Sequence, residues 1–400
     1  MQKLNTPSFD DFWWDTNSPE ERNKAALEQA IQTALFAKEK VPFYREHYKK
    51  LSPQDIQNIS SLEEFAVVIP YITKEHLANV DSGAFIPEIE VEEIDPNIGE
   101  YWVFPTGGTT GDPIEVYHSM QDWRGMVLTA DRHIEFDFFR DKNIKELFGV
   151  KDEYTNPLKD ARILGVYNRA HITNNIYATM LLRFGSEFLW RPHLTPTPED
   201  VYGAAQKHRV NGLLATPEEG TGKKAIDLEN ILRVDAKNSK PDAWHLSYRY
   251  NPEFKFIFWS SMPMSEDLLR YLKEDLQIPY IKGHFGSTEV APTAASCSEH
   301  MRDFHLIYGH SLVLIKSMEN TGLAKPDEFG YTLVSRTGAT DKEGNNVLPS
   351  GTYFINYMTG DGARLSKDEL CKCGRNTPVL YDINRIQFHE GKAIHGCQIN

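Results

Sequence analysis

Cysteine is scarce in this chain. Four residues in 400 are too few to staple a scaffold with disulfides, so the placement of the thiols matters more than their number. Positive charge is short as well: 43 lysines and arginines face 57 acids, a formal net charge of −14. That balance leaves no broad basic surface to neutralise a nucleic-acid backbone and argues against that class of partner. Long apolar runs are missing too. No stretch approaches a membrane span, and the N-terminal MQKLNTPSFDDFWWD carries acids where a secretory signal would carry its apolar segment. A cytoplasmic protein without membrane contact is expected. Internal repeats and low-complexity linkers are likewise absent, and the length allows one large domain or two ordinary ones.

Glycine and threonine, by contrast, crowd into one place. In YWVFPTGGTTGDPIEVYH, residues 101–118, the six positions Thr106, Gly107, Gly108, Thr109, Thr110 and Gly111 hold nothing else. Glycines let a ligand approach the main chain, and threonine hydroxyls with successive N–H groups can face one concavity, the anatomy of an anion nest that suits a phosphate. A flexible hairpin tip is the alternative. A Walker loop would need a lysine and Ser/Thr after the last glycine and would open a helix. Here Asp112 and Pro113 follow, and both flanks read as strands, by alternation after the loop and by aromatic and β-branched residues before it. EEGTGKKA at 218–225 also lacks the first glycine at Walker spacing and reads as a polar turn.

Ser18-Pro19-Glu20-Glu21 combines an N-cap, a proline at the first helical position and a capping-box carboxylate, which predicts a helix through about Lys40. From about 100 to 290 the short apolar runs RILGVY, GSEFLW, NGLLAT and FKFIFWS alternate with helical stretches, the signature of βαβ units around a largely parallel sheet. Beyond about 300 the helical signal fades, and HLIYGHSLVLIKS, GYTLVSR and TYFINYMTGD are β-rich and separated by Gly/Pro turns. The fold class is therefore α/β, with a smaller, mostly antiparallel β unit.

FGSTEV at 285–290 and YMTGDGARL at 357–365 follow the Gly/Thr loop in the order found in adenylate-forming enzymes. The chain resembles that acyl-CoA synthetase and luciferase-like superfamily, and within it the phenylacetate-CoA ligase branch. VPFYREHY at 41–48, IPYITKEHL at 69–77, SSMPMSEDLL at 260–269, DEFGYTLVSRTG at 327–338 and CKCGRNTP at 371–378 extend the resemblance over nearly the whole length. It implies the N-terminal catalytic domain of such enzymes, over residues 1–384: N-terminal helices over 1–80, α/β sheets flanked by helices over about 81–295, and a β-rich subdomain over about 296–384. Residues 385–400 would be a truncated hinge. The mobile C-terminal domain that supplies a lysine and rotates to admit CoA in relatives does not follow, so adenylation would be slower or would borrow a lysine from a partner.

The implied reaction is attack of a carboxylate on the α-phosphorus of ATP with departure of pyrophosphate, which requires positioned anions and charge neutralisation. By the resemblance, Thr106 to Gly111 wrap the β- and γ-phosphates, Phe285 lies against adenine beside Gly286, Thr288 touches the α-phosphate and Glu289 holds Mg²⁺. Asp361 accepts the ribose hydroxyls, and Arg385 is the surviving hinge arginine. Ser261 and Met262 line the adenine and acyl pockets. The substrate would be a carboxylic acid, aromatic by the branch, and the acceptor CoA, a carrier thiol, an amine or a partner reductase, in a natural-product pathway such as those modifying phenazine-type acids. A homodimer is an allowed assembly. An acyl-protein synthetase-like transferase and a nucleotide-binding scaffold without catalysis are the competing readings.

Three departures stand out. Asp112 replaces the usual lysine and would repel a triphosphate unless turned away. Phe285 replaces a tyrosine and keeps its stacking face. Asn384 replaces the glycine before Arg385. A second site is suggested by Cys297-x2-His300 and Cys371-x-Cys373, a Cys₃His set suited to tetrahedral Zn²⁺, with His305 competing for the fourth place and unliganded buried thiols as the alternative. Cys397 reads as a free thiol. In YNRAHITNNIYATML at 167–181, His171, Asn174 and Asn175 either meet a polar ring substituent or cap the next helix.

Overall fold

The computed structural model describes residues 4–88, 101–106, 114–152, 155–167, 171–193, 195–217, 226–238, 243–389 and 392–394. Gly107, Gly108, Thr109, Thr110, Gly111 and Asp112 lie outside the described residues, as do the turn at 218–225 and Cys397. The chain divides into two compact units. The first comprises Met1–Arg132, Gly286–Ala294 and His305–Asn400, and the second His133–Phe285 and Ala295–Phe304.

In the first unit, the helix Pro19–Lys40 begins as its sequence indicates: the Ser18 hydroxyl accepts from the Glu21 N–H, and Pro19 fills the first helical position. Strands β1 (Tyr101–Pro105) and β2 (Glu115–Ser119) form an antiparallel hairpin running from Tyr101 opposite Ser119 to Pro105 opposite Glu115. The Gly/Thr segment thus joins strand to strand.

The second unit carries β3 (Arg162–Gly165), β4 (Glu187–Trp190), β5 (Gly212–Ala215), β6 (Phe256–Ser260) and β7 (Tyr280–Phe285), in the order β4-β3-β5-β6-β7 and parallel throughout. The helices Ile172–Arg183, Pro198–His208 and Leu228–Lys237 lie in the connections up to β6. All residues of β5 and β6 are buried. Their apolar continuity, rather than alternation, fits strands covered on both faces. The pairs β3–β4 and β3–β5 place the chain reversal beside β3, and ligands of such sheets sit outside the carboxyl ends near the switch.

Two short strands follow, β8 (Ala294–Ala295) and β9 (Phe304–Leu306). The first unit then continues with β10 (Ser311–Ser317), β11 (Gly330–Arg336), the small pair β12 (Ala339–Thr340) and β13 (Asn346–Val347), then β14 (Tyr357–Leu365) and β15 (Val379–Arg385), and a hairpin of β16 (Gln387–His389) and β17 (Lys392–Ile394). Strands β10-β11-β14-β15 are neighbours in that order and antiparallel. Between β11 and β14 the register breaks. Tyr331 pairs with Gly362 and Leu333 with Met358, so Thr359, Gly360 and Asp361 stand opposite the single Thr332. Such a bulge pushes its residues out of the ladder.

The first compact unit keeps everything to Arg132 with the β-rich region. The backbone explains it: the Tyr117 N–H donates to Thr352 Oγ1 at 2.9 Å and the Thr352 N–H returns to the Tyr117 carbonyl at 2.8 Å. These bonds span 235 positions.

Candidate active site

The first unit gathers much of the predicted set. The turn Ser287–Val290 is closed by the Ser287 N–H on the Val290 carbonyl at 3.2 Å. It presents a half-buried Thr288 and a buried Glu289. Tyr357, at the start of β14, donates its phenol to Glu289 Oε1 at 3.0 Å. Burial first, then the Glu289 charge, raises that phenol far above its usual pKa, so it remains a donor. Only one carboxylate oxygen of Glu289 is engaged in this bond, which leaves a hard oxygen of the kind Mg²⁺ takes.

The bulge carries Asp361, and register places it opposite Arg385. Arg385 Nη1 donates to Asp361 Oδ1 at 2.6 Å. Burial alone would lower the guanidinium pKa, but the Asp361 charge and hydrogen bond outweigh it and hold it above its ordinary value. Glu289 and Tyr357 lie within electrostatic range of the same guanidinium. The arrangement fixes one oxygen of Asp361, and carboxylate oxygens accept hydrogen bonds of the kind two adjacent hydroxyls donate. Gly360 has φ +82°, the left-handed conformation that lets the chain swing Asp361 out of the ladder.

Thr106 closes the base of the Gly/Thr segment. Its N–H donates to the Ile114 carbonyl at 2.9 Å, and its hydroxyl accepts from the Ile114 N–H at 3.0 Å. Gly286 is not demanded by the protein itself: a Cβ there would meet Ala291 Cα and Cβ at 3.4 Å, and its φ is not positive.

In the second unit, Ser260 pairs with His284, so Ser261, Met262 and Phe285 leave neighbouring strand ends on the carboxyl side of the sheet. Ser261 has φ +78°, a conformation rare outside glycine and concentrated at functional sites. The polar trio read from 171–175 is engaged locally. His171 caps the helix Ile172–Arg183 by accepting from the Thr173 N–H at 3.2 Å, Asn174 donates to the Tyr167 carbonyl at 2.7 Å, and Asn175 donates to the His171 carbonyl at 3.0 Å. Of the two readings, capping describes His171, while the two asparagine amides bond backbone carbonyls beside the helix start. Burial pushes the His171 imidazole down to about 4. A cavity of about 240 Å³ opens between Arg162, Glu187, Lys207 and Arg209, at the amino ends of β3 and β4 and thus at the opposite end of the strands from Ser261 and Phe285.

The thiol set is partly assembled within the first unit. Ligand atoms of His305, Cys371 and Cys373 lie within 4.8 Å of one another, and Cys373 Sγ is 3.7 Å from His305 Nε2. His305 Nδ1 donates to the Thr377 carbonyl at 2.8 Å, the orienting contact that metal-ligating histidines make through their other nitrogen. Arg375 Nη1 lies 3.9 Å from Cys373 Sγ. His305, the alternative in the sequence reading, takes the place given first to His300. In the second unit, the His300 N–H donates to Cys297 Sγ at 3.3 Å.

Sequence reasoning assigned no role to Tyr357, His118 or Arg336. The two carbonyls of Thr288 and Glu289 accept from His118 Nε2 at 3.1 Å and from Arg336 Nη2 at 2.6 Å. The signal was available: His118 occupies the inward-facing phase of β2 with Val116, a position where an apolar residue is the norm.

Among the described residues no helix is long and apolar enough to cross a membrane. A 2-hydroxyisobutyryl-CoA ligase solved in an open conformation, in complex with 2-HIB-AMP and CoA, is similar with a TM-score of 0.68 at 15% identity, over 98% of this chain and 84% of that chain. The same ligase in the postadenylation state with R3-HIB-AMP gives 0.69 at 15% identity, over 96% and 72%. At that identity the likeness speaks for the fold. No curated protein matches the sequence. The profile of the family described as AMP-binding enzyme matches residues 13–316.

Proposed function

The chain belongs to the AMP-binding enzyme family, and from that premise we propose that it uses ATP to activate a carboxylic acid as an acyl-adenylate, with release of pyrophosphate. The observation that carries the reading is the pair of engaged carboxylates in one unit, Glu289 held by Tyr357 and Asp361 held by Arg385. The acid oxygen forms a bond to the α-phosphorus as the bond to pyrophosphate breaks. Asp361 accepts the ribose hydroxyls and fixes the nucleoside. Thr288 donates to an α-phosphate oxygen on which charge grows. In the second unit, the family resemblance alone assigns Phe285, with Ser261 and Met262 at the neighbouring strand end, to the adenine ring and the acid. Thr106 holds the base of the segment 107–111, whose N–H groups would cradle the distal phosphates. The hard carboxylate of Glu289 suits Mg²⁺, which when bound supplies neutralisation of phosphate charge.

The finer reading is an aromatic acid substrate in a phenylacetate-CoA ligase-like branch, with CoA as the acceptor. The structurally similar ligase was solved in complex with 2-HIB-AMP and CoA, which supports CoA as the acceptor. We also assign a structural zinc to His305, Cys371 and Cys373, with Cys297 as the further thiolate expected from the sequence. Its chemistry would be to tie the CKCGR turn to β9, and the soft sulfur ligands select Zn²⁺ over Mg²⁺. Metal analysis of chain never exposed to immobilised nickel should give about one zinc per chain, lost in Cys373→Ser.

Pyrophosphate release from the 400-residue chain with ATP, Mg²⁺ and a panel of aromatic and short aliphatic acids tests the main proposal. Acid-dependent release, abolished in Glu289→Gln, is the expected result. Release with no acid of the panel would leave a nucleotide-binding scaffold in its place.

A further inference from the structure

His118 lies on β2, directly after the segment that Thr106 and Ile114 close, and its ring is fully buried. Each ring nitrogen meets a partner with a fixed role. A guanidinium can only donate, so Nδ1 accepts from Arg336 Nη2 at 3.0 Å. A carbonyl can only accept, so the Nε2–H donates to the Thr288 oxygen at 3.1 Å. Only the neutral Nε2–H tautomer satisfies both. Burial, and then the Arg336 charge, pushes the imidazole well below its usual pKa and keeps it in that form.

Arg336 extends the same network. Besides His118 it donates to the Glu289 carbonyl at 2.6 Å and, through Nη1, to the Thr352 carbonyl at 3.2 Å. Asp122 lies 3.7 Å from Arg336 Nη1, and its Oδ2 accepts the N–H groups of Ser119 at 2.9 Å and Gly351 at 2.8 Å. Two consecutive peptide carbonyls of the tight turn, Thr288 and Glu289, are therefore held by side chains of β2 and β11. The planes of those peptides set the directions in which Thr288 Oγ1 and the Glu289 carboxylate point.

We infer that His118 and Arg336 are positioning residues for acid activation, a strut that locks the Thr288–Glu289 backbone to the hairpin carrying the Gly/Thr segment. The inference rests on the function proposed above. It fixes the backbone of the turn to β2 and β11, so that the Thr288 hydroxyl and the Glu289 carboxylate, the groups proposed for the α-phosphate and Mg²⁺, keep one mutual geometry. A misplacement of about 1 Å at such a centre costs on the order of 100-fold in rate.

The test compares His118→Phe, which keeps an aromatic filler and loses both bonds, with His118→Gln, whose amide can accept from Arg336 and donate to Thr288. In His118→Phe, kcat for pyrophosphate release should fall about 10- to 100-fold while KM for the acid stays within about twofold. His118→Gln should recover kcat to within about threefold of the parent. A kcat in His118→Phe within twofold of the parent, or a His118→Gln no faster than His118→Phe, overturns the inference. If His118→Phe does not fold, His118→Asn, too short to reach both partners, is read against His118→Gln by the same criteria. If the parent chain releases no pyrophosphate, the proposed function falls first. The strut is then read from ATP binding with Mg²⁺: affinity at least fivefold weaker in His118→Phe than in His118→Gln supports it, and equal affinities reject it.

Discussion

At Ser261 the backbone holds a left-handed conformation that costs a residue with a Cβ about 1–2 kcal/mol. Nothing in the local sequence SSMPM asks for a glycine there, and the strain sits at a strand end where a ligand is proposed. Ser261→Gly should therefore raise stability by about 0.5–1 kcal/mol in urea titration; a lower midpoint would show that the hydroxyl contributes more than the strain costs. Tyr357→Phe removes the donor to a buried carboxylate, an interaction of about 1.5–3 kcal/mol. It should slow pyrophosphate release by roughly tenfold or more with the circular dichroism spectrum unchanged. Individual residues were unevenly legible. Glu289, Asp361 and Arg385 are singled out by motifs that stand in a fixed order. Tyr357 has no such signal, because a tyrosine beginning an apolar strand reads as core until its hydroxyl is seen on Glu289. At the helix start His171 caps as its position suggests, while Asn174 and Asn175 donate to the carbonyls of Tyr167 and His171.

The elements that carry the site are strands with local faults. At β14, three residues face one across the β11 ladder, and Gly360 supplies the positive φ that turns Asp361 out. A Cβ there would touch nothing within 4 Å, so Gly360→Ala is strained by dihedral alone. It should cost about 1–2 kcal/mol in chemical denaturation and weaken ATP binding as Asp361 shifts. An alanine variant with the parent's stability and affinity would show that the bulge tolerates an ordinary backbone. Element types were readable where the signal is short-range: the cap at Ser18, the apolar runs of β3, β5 and β6, and the β-rich segments between Gly/Pro turns after 300. The pairing of the hairpin with Thr352 was not readable, since the partners lie 235 positions apart and no periodicity links them. For the same reason the bulge could not be counted from YMTGD alone.

Across the whole molecule, buried charge is the feature that responds to conditions. His310 is pushed down to about 3, by burial first and by Arg336 and Arg132 next, and His118 is driven well below its ordinary value. Unfolded histidine titrates near about 6.5, so between roughly 6.5 and 3 the unfolded chain binds protons that the native chain refuses. The stability these groups contribute is complete above about pH 6.5 and is lost as pH falls. Asp235 and Asp303, raised by burial, act in the opposite sense, so the histidine share is read as the difference between the parent and His310→Gln. The urea midpoint of the parent should fall below about pH 6, and less steeply in the variant; parallel slopes would assign the pH response elsewhere. The composition foretold neither this network nor the buried Asp15, which lies 2.9 Å from Arg132 Nε and 3.5 Å from Arg375 Nε, because charged residues read as surface by default. The central claim, that the residues of the first unit form the binding surface of an adenine nucleotide, is tested most directly by calorimetric titration of ATP with Mg²⁺ into the chain and into Asp361→Ala. The account predicts saturable binding to the parent and a loss of at least tenfold in affinity in the variant, as expected for a charged acceptor removed from two hydroxyls. Equal affinities, or no heat of binding to the parent, would contradict it.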